Sequence, residues 1–281
     1  MTALTEPELQ RYLEIATEAA LTGGAILQRY WGKLESIEEK GRSGDLVTEA
    51  DKASEAAVLE VITRHLPEHP ILAEESGALQ AMAGSPFLWA IDPLDGTTNY
   101  THQYPFSAVS IGLLVDGYPT VGVIFDPFHQ ELFRAAKGLG ATLNRRSMRV
   151  SRTNKLTNSL LVTGFAYDRR EQADNNYAEF CHLTHLTQGV RRGGSAAIDL
   201  AYVACGRLDG YWERGLSPWD LAAGVVLVEE AGGQVTAYNK QPFDIHSGRI
   251  LATNGHIHTT LSQVLQQIKP LTNFEPIAIA E

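Results

Sequence analysis

Leu9, Leu13, Ala16, Ala20, Leu27 and Tyr30 recur at roughly helical spacing, which predicts an amphipathic helix over 7–31. A glycine-containing charged loop, 40–45, interrupts the pattern. Thr48 stands three residues before Asp51, a capping box with Asp in place of Glu, and predicts a second helix running to about 65. Val58, Leu59, Val61 and Ile62 would form its buried stripe. Short apolar runs at 70–73 and 87–91 that stop at acids read as strands. Apolar segments 107–115 and 118–125 flank Asp116-Gly117, a strong hairpin signal, and 131–136 and 141–150 extend an antiparallel meander. The remainder alternates: strand 159–163, helix 171–187, strand 189–192, helix 196–205, strand 209–213. Ser217-Pro218-Trp219-Asp220 then opens a helix with Ser at the N-cap, Pro at N1 and an acid at N3. That helix should stop at Gly232-Gly233.

At 281 residues the chain is long enough for one large domain or two fused halves, and no linker divides it. A 44% apolar and 20% charged composition excludes a disordered or fibrous chain. Cys181 and Cys205 offer no disulfide framework and suit a reducing compartment. The first thirty residues carry neither a secretory signal nor a transit-peptide composition, and no stretch is apolar enough to span a membrane, so a cytoplasmic location is expected. A net charge of −10 argues against nucleic acid or an anionic membrane as the main partner. The charge is unevenly placed. Between His65 and Phe133 there is no Lys or Arg, yet the segment holds eight acids: Glu68, Glu74, Glu75, Asp92, Asp95, Asp116, Asp126 and Glu131. Either this is a solvated acidic face or it is a site that takes cations.

The chemistry concentrates at Trp89-Ala-Ile-Asp92-Pro-Leu-Asp95-Gly-Thr97-Thr-Asn99-Tyr100. An apolar strand runs straight into two aspartates, with Pro93 fixing the turn between them and Gly96 permitting close backbone approach. Thr97, Thr98 and Asn99 bring hydroxyls, an amide and the N–H groups of a short helix start. Carboxylates beside an anion-accepting backbone suit a hard cation that bridges to phosphate, such as Mg²⁺. Two like charges this close would otherwise drive a proton onto one of them. Glu74-Glu75-Ser76 adds to the problem, and with no base nearby in sequence a divalent ion is the natural counter-charge.

The segment Asp92-Pro-Leu-Asp-Gly-Thr-Thr-Asn-Tyr100 resembles the signature of the inositol monophosphatase family of Mg²⁺-dependent, lithium-sensitive phosphatases. Gly44-Asp-Leu-Val-Thr-Glu-Ala-Asp51, Glu74-Glu75-Ser76, and Trp219-Asp-Leu-Ala-Ala-Gly224 through Glu230-Ala-Gly-Gly233 resemble the other family motifs, in order. The likeness covers about 9–265 and is nearest to bacterial and plastid-type members. It implies an α+β fold: a layered α-β-α-β-α sandwich forming one phosphatase unit. The half at about 1–150 would carry a large antiparallel sheet and the half at about 151–281 a smaller mixed sheet, with the site between them. It also implies a homodimer.

By the same resemblance, two to three Mg²⁺ would be held by Glu74, Asp92, the Leu94 carbonyl, Asp95 and Asp220, with Asp92 bridging. Asp51 and Thr97 would orient or deprotonate the attacking water, with Glu74 counted in the catalytic set through a third, weaker ion. Gly96 and Thr97 would cradle the phosphate. Asp95, Gly194, Ser195, Ala196, Glu213 and Asp220 would contact the polyol, with Arg191 nearby. The implied reaction is hydrolysis of myo-inositol 1-phosphate or a related small phosphate ester. Fructose 1,6-bisphosphate, histidinol phosphate and 3′-phosphonucleotides are the alternatives within the superfamily, and a non-catalytic binding member is the alternative outside it.

Other features carry plainer readings. Gly193-Gly194-Ser195 is a tight turn with an N-cap, or an anion site. Lys137-Gly138-Leu139-Gly140 lacks dinucleotide-binding context and reads as a hairpin turn. Cys181, His182 and His185 lack zinc spacing and read as surface, His256 and His258 read as loop residues, and Trp31, Trp89 and Trp212 as packing residues.

Overall fold

A computed structural model describes residues 2–42, 44–79 and 84–271. Residue 43 of the predicted 40–45 loop lies outside the described residues.

Helix α1 (Glu6–Tyr30) leads into a two-stranded hairpin, β1 (Ile37–Glu39) with β2 (Leu46–Thr48), and then helix α2 (Glu49–His65). The Thr48–Asp51 capping box forms as the spacing predicts: Thr48 accepts from the Ala50 and Asp51 amides, and Asp51 accepts from the Thr48 amide. Eight strands follow as one sheet: β3 (Ile71–Ala73), β4 (Gly77–Leu79), β5 (Phe87–Asp95), β6 (Ala108–Val115), β7 (Tyr118–Asp126), β8 (Glu131–Ala136), β9 (Gly140–Leu143) and β10 (Arg146–Ser147). A short helix, α3 (Thr97–Thr101), interrupts them after β5. The second sheet orders five strands as β12-β11-β13-β15-β14: β11 (Leu160–Thr163), β12 (Gly189–Arg191), β13 (Gly210–Arg214), β14 (Gln234–Thr236) and β15 (Arg249–Thr253). Helices α4 (Tyr177–Leu186), α5 (Ala196–Ala204), α6 (Pro218–Glu230) and α7 (His258–Gln267) complete the chain.

Alternation along the strands builds the layers. Trp89 and Ile91 point to one face of the large sheet and pack with α1 and α2. Ala90 points to the other face, against α5 and α6. Those two helices are apolar over most of their surface, because their far side meets Val162, Tyr211, Ile250 and Ala252 of the small sheet. Leu161, Trp212 and Leu251 line that sheet's outer face beneath α4 and α7. The result is the five-layer α-β-α-β-α sandwich. Helix α6 approaches the large sheet closely at Gly112 and Gly122, which pair across β6 and β7, and a Cβ on either would overlap Ala222 or Ala223.

Several sequence readings shift. The helix predicted over 171–187 begins only at Tyr177, after a 3-10 turn at Tyr167–Arg170. The strand predicted over 141–150 ends at Leu143 and turns back through Arg146–Ser147. His258 is a fully buried residue at the start of α7, hydrogen-bonded to Thr236 and Thr253, and not a loop histidine. The acidic block is a solvated face only in part, at Glu68 and Asp116. Asp126 is buried and caps the Phe128 and His129 amides, Glu131 pairs with Arg207, and Glu75 pairs with Lys40.

Gly122→Ala should lower stability by about 1–3 kcal/mol through overpacking against α6. Thermal unfolding should show a midpoint several degrees below wild type, and an unchanged midpoint would contradict the close helix–sheet contact.

Candidate active site

Side chains of a strand alternate between faces, so residues three apart on a regular strand point to opposite sides. Asp92 and Asp95 escape this through a bulge. Asp92 pairs with Ser110 and Asp95 with Ala108, so β5 carries one residue more than β6 between those points. The extra residue turns both carboxylates to one side. Helix α6 brings Asp220 to the same place from the second half of the chain. Among the described residues, Asp92, Asp95 and Asp220 each offer a carboxylate oxygen within 4.8 Å of the others.

Neighbouring elements complete the arrangement. Strand β3 runs parallel to β5, with Ala73 beside Ile91, and this places Glu74 next to Asp92. Asp51, in the first turn of α2, is buried, and its Oδ1 accepts from Thr97 Oγ1 at 3.1 Å. Its other oxygen is fixed by the Thr48 amide at 2.8 Å and the Thr48 hydroxyl at 2.6 Å. Gly96, with φ of 92°, turns the chain from β5 into α3 in a conformation that favours glycine. Asp95 accepts from Ser195 Oγ at 2.5 Å and the Ala197 amide at 2.6 Å, which ties β5 to the start of α5.

A cleft of about 440 Å³ opens over these groups. Asp95, Gly96, Thr97, Gly194, Ser195, Ala196, Glu213 and Asp220 all line it. Arg191 does not: it faces an adjoining cavity, and Arg192 takes the cleft position. Sequence reading also passed over Asp199, Tyr167 and Arg169, which line the cleft. Asp199 is buried on α5, and its Oδ1 has no hydrogen-bond partner among the described residues. No motif marks these residues; only tertiary packing brings them together. The expectation that no base lies near the acids is corrected. Lys40, from the β1–β2 hairpin, reaches Glu74 at 2.8 Å and Glu75 at 2.5 Å.

Crowding shows in the proton affinities. Burial first, then the charges of Glu74, Asp95 and Asp220, raises the Asp92 pKa well above the usual carboxylate range. Asp220 is raised likewise by burial and then by Asp95 and Glu74. Burial pushes Asp95 up to about 6 despite its Ser195 and Ala197 hydrogen bonds. Asp51 also rises to about 6 through burial, with the Thr48 bonds pulling the other way. Glu213 rises to about 7 through burial, opposed by the Tyr211 hydroxyl. An all-oxygen donor set that resists holding its own negative charge fits a hard divalent cation.

The inositol monophosphatase family model matches residues 8–269. The chain belongs to the inositol monophosphatase family. It is 67% identical over 258 residues to the inositol-1-monophosphatase of Synechocystis, covering 92% of this chain and 90% of the relative. It is 42% identical to the Nus factor SuhB of Pseudomonas aeruginosa, covering 93% and 98%. The solved inositol monophosphatase from Anabaena superposes with a TM-score of 0.87 at 67% identity, covering 94% of this chain and 98% of that one. The protein is a phosphatase of the phosphoric monoester hydrolase class, in a metal-dependent family.

The raised carboxyls set a sign for stability. A carboxyl whose folded pKa lies above its unfolded value stabilises the protein at low pH, and that contribution is lost as pH rises through the folded pKa. For Asp51 and Asp95 the window runs from the ordinary carboxyl value of 3.8 to about 6. Chelated protein should therefore unfold at a lower temperature at pH 7.5 than at pH 5.5. A midpoint that rises across that interval would contradict the buried-carboxyl account.

Proposed function

We propose that the chain hydrolyses myo-inositol 1-phosphate, or a closely related small polyol phosphate, by direct attack of water. It would act as one Mg²⁺-dependent phosphatase unit, in a cytoplasmic homodimer. The observation that carries this reading is the convergence of Asp92, Asp95 and Asp220 beside the Asp51–Thr97 pair. The name of the Synechocystis relative supports the substrate.

Glu74, Asp92, the Leu94 carbonyl, Asp95 and Asp220 would hold two to three Mg²⁺. Bound Mg²⁺ supplies charge neutralisation at the leaving oxygen and acidifies water. The chain's own groups do the rest. Thr97 has one hydroxyl proton and two acceptors in reach, Asp51 Oδ1 at 3.1 Å and the Leu94 carbonyl at 3.0 Å. Donating to Asp51 leaves its lone pairs free to accept from the attacking water and so aims it. Asp51, with a pKa pushed up to about 6, can take the proton that water loses near neutral pH. The Gly96 and Thr97 N–H groups, at the turn into α3, face the phosphate oxygens. The new P–O bond forms as the ester P–O bond breaks, and the polyol leaves with the electron pair and gains a proton. Ser195 and Glu213 accept from polyol hydroxyls at the far end of the cleft, with Gly194 and Ala196 beside them.

Phosphate release from a panel of inositol and sugar phosphates, with Mg²⁺ and with EDTA, tests the reading. Inositol 1-phosphate should be preferred and EDTA should stop turnover; full activity in EDTA would overturn the metal assignment. Asp92→Asn should lower kcat by about 100-fold or more. A mild effect would remove Asp92 from its central place.

A further inference from the structure

The phosphate end and the polyol end of the cleft come from different halves of the chain. Gly96 and Thr97 follow β5, whereas Gly194 and Ser195 lead into α5, which Ala196 opens. The loop at the polyol end begins with two glycines, and Gly194 has φ of 90°. Such a segment has little stiffness of its own, so external contacts must fix its position. Asp95 fixes the later part through Ser195 and Ala197. The earlier part is held from behind the cleft. Asn99 Nδ2 donates to the Gly193 carbonyl at 3.0 Å and to the Phe106 carbonyl at 2.8 Å. The Phe106 ring and the Asp199 carboxylate close over Gly193, so that a Cβ there would collide with both. Asn99 sits in α3, two residues after Thr97, and is not among the residues lining the cleft.

We propose that Asn99 is a positioning residue for substrate specificity: its carboxamide ties the Gly193–Ser195 loop to the phosphate-binding turn and so sets the distance between the two ends of the cleft. The proposal rests on the polyol-phosphatase reading above. The chemistry requires an amide. Two carbonyl oxygens face one side-chain atom, and only a nitrogen with two protons satisfies both. Aspartate has the same shape but would oppose both carbonyls with negative charge, so it should be worse than alanine.

The test compares inositol 1-phosphate with phenyl phosphate, which has a phosphate and no hydroxyls to read. For Asn99→Ala, KM for inositol 1-phosphate should rise about 5- to 30-fold, from the loss of one or two hydrogen bonds of about 1 kcal/mol each. kcat/KM for phenyl phosphate should change by less than about 3-fold, since the groups at the phosphate end stay in place. Asn99→Asp should show the same split, enlarged. A purely structural role would lower the thermal midpoint and reduce both substrates together, which would overturn the proposal; so would variants that keep wild-type selectivity. If Asn99→Asp does not fold, the alanine variant alone decides. A wild type with no preference for inositol 1-phosphate over phenyl phosphate would overturn the functional reading and the proposal with it. A wild type that has the preference, alongside a variant that keeps it, would overturn the proposal alone.

Discussion

Three carboxylates, two of them buried and the third half-buried at the cleft, occupy a space in which they repel one another. Asp92, Asp95 and Asp220 bring oxygens within 4.8 Å of each other, and burial raises all three pKa values. Like charges held this way must either take up protons or share a cation. The fold does not arrive at this arrangement passively. The bulge in β5 is what puts Asp92 and Asp95 on one side, and a regular strand would separate them. Lys40, the one ammonium close by among the described residues, is occupied by Glu74 and Glu75. The inner trio is left for an ion from solution.

The layers of the sandwich serve this demand. Helices α2, α3, α5 and α6 all begin at the site, with Asp51, Thr97, Ser195 and Asp220 in or beside their first turns. Helix N-termini carry partial positive charge, which eases the crowding of carboxylates and favours an anionic substrate. Capping makes some residues do two tasks. Asp51 and Asp220 each cap their own helix through one oxygen, at Thr48 and Ser217; Asp51 gives its other oxygen to the Thr97 hydroxyl, and Asp220 lines the cleft. An acidic protein of net charge −10 would thereby hold a phosphate ester, because with cations bound the ester would meet them and the amide dipoles before the carboxylates.

Much of this was legible from residue order, and the gaps have a common cause. Strong local signals survived folding: the Thr48–Asp51 and Ser217–Asp220 caps, the Asp116-Gly117 hairpin and the apolar strand leading into Asp92, which continues to Asp95 instead of stopping at the first acid. The family motifs supplied the inner acids. What sequence could not show was who approaches from afar. Lys40 lies 34 residues from Glu74, and Asn99 lies 94 from Gly193, with no periodicity to announce either contact. Arg191 ends a short strand and faces only the adjoining cavity, whereas Arg192, one position on, lines both that cavity and the cleft. The base-free stretch was real as sequence and misleading as space.

The central claim is that the inner carboxyls hold protons which a divalent cation must displace. Titrating Mg²⁺ into the chelated protein by calorimetry, in buffers of different ionisation enthalpy, counts those protons directly. The account predicts proton release on binding near pH 6 that shrinks as pH rises. Binding with no proton release near pH 6, or no Mg²⁺ binding at all, would contradict it.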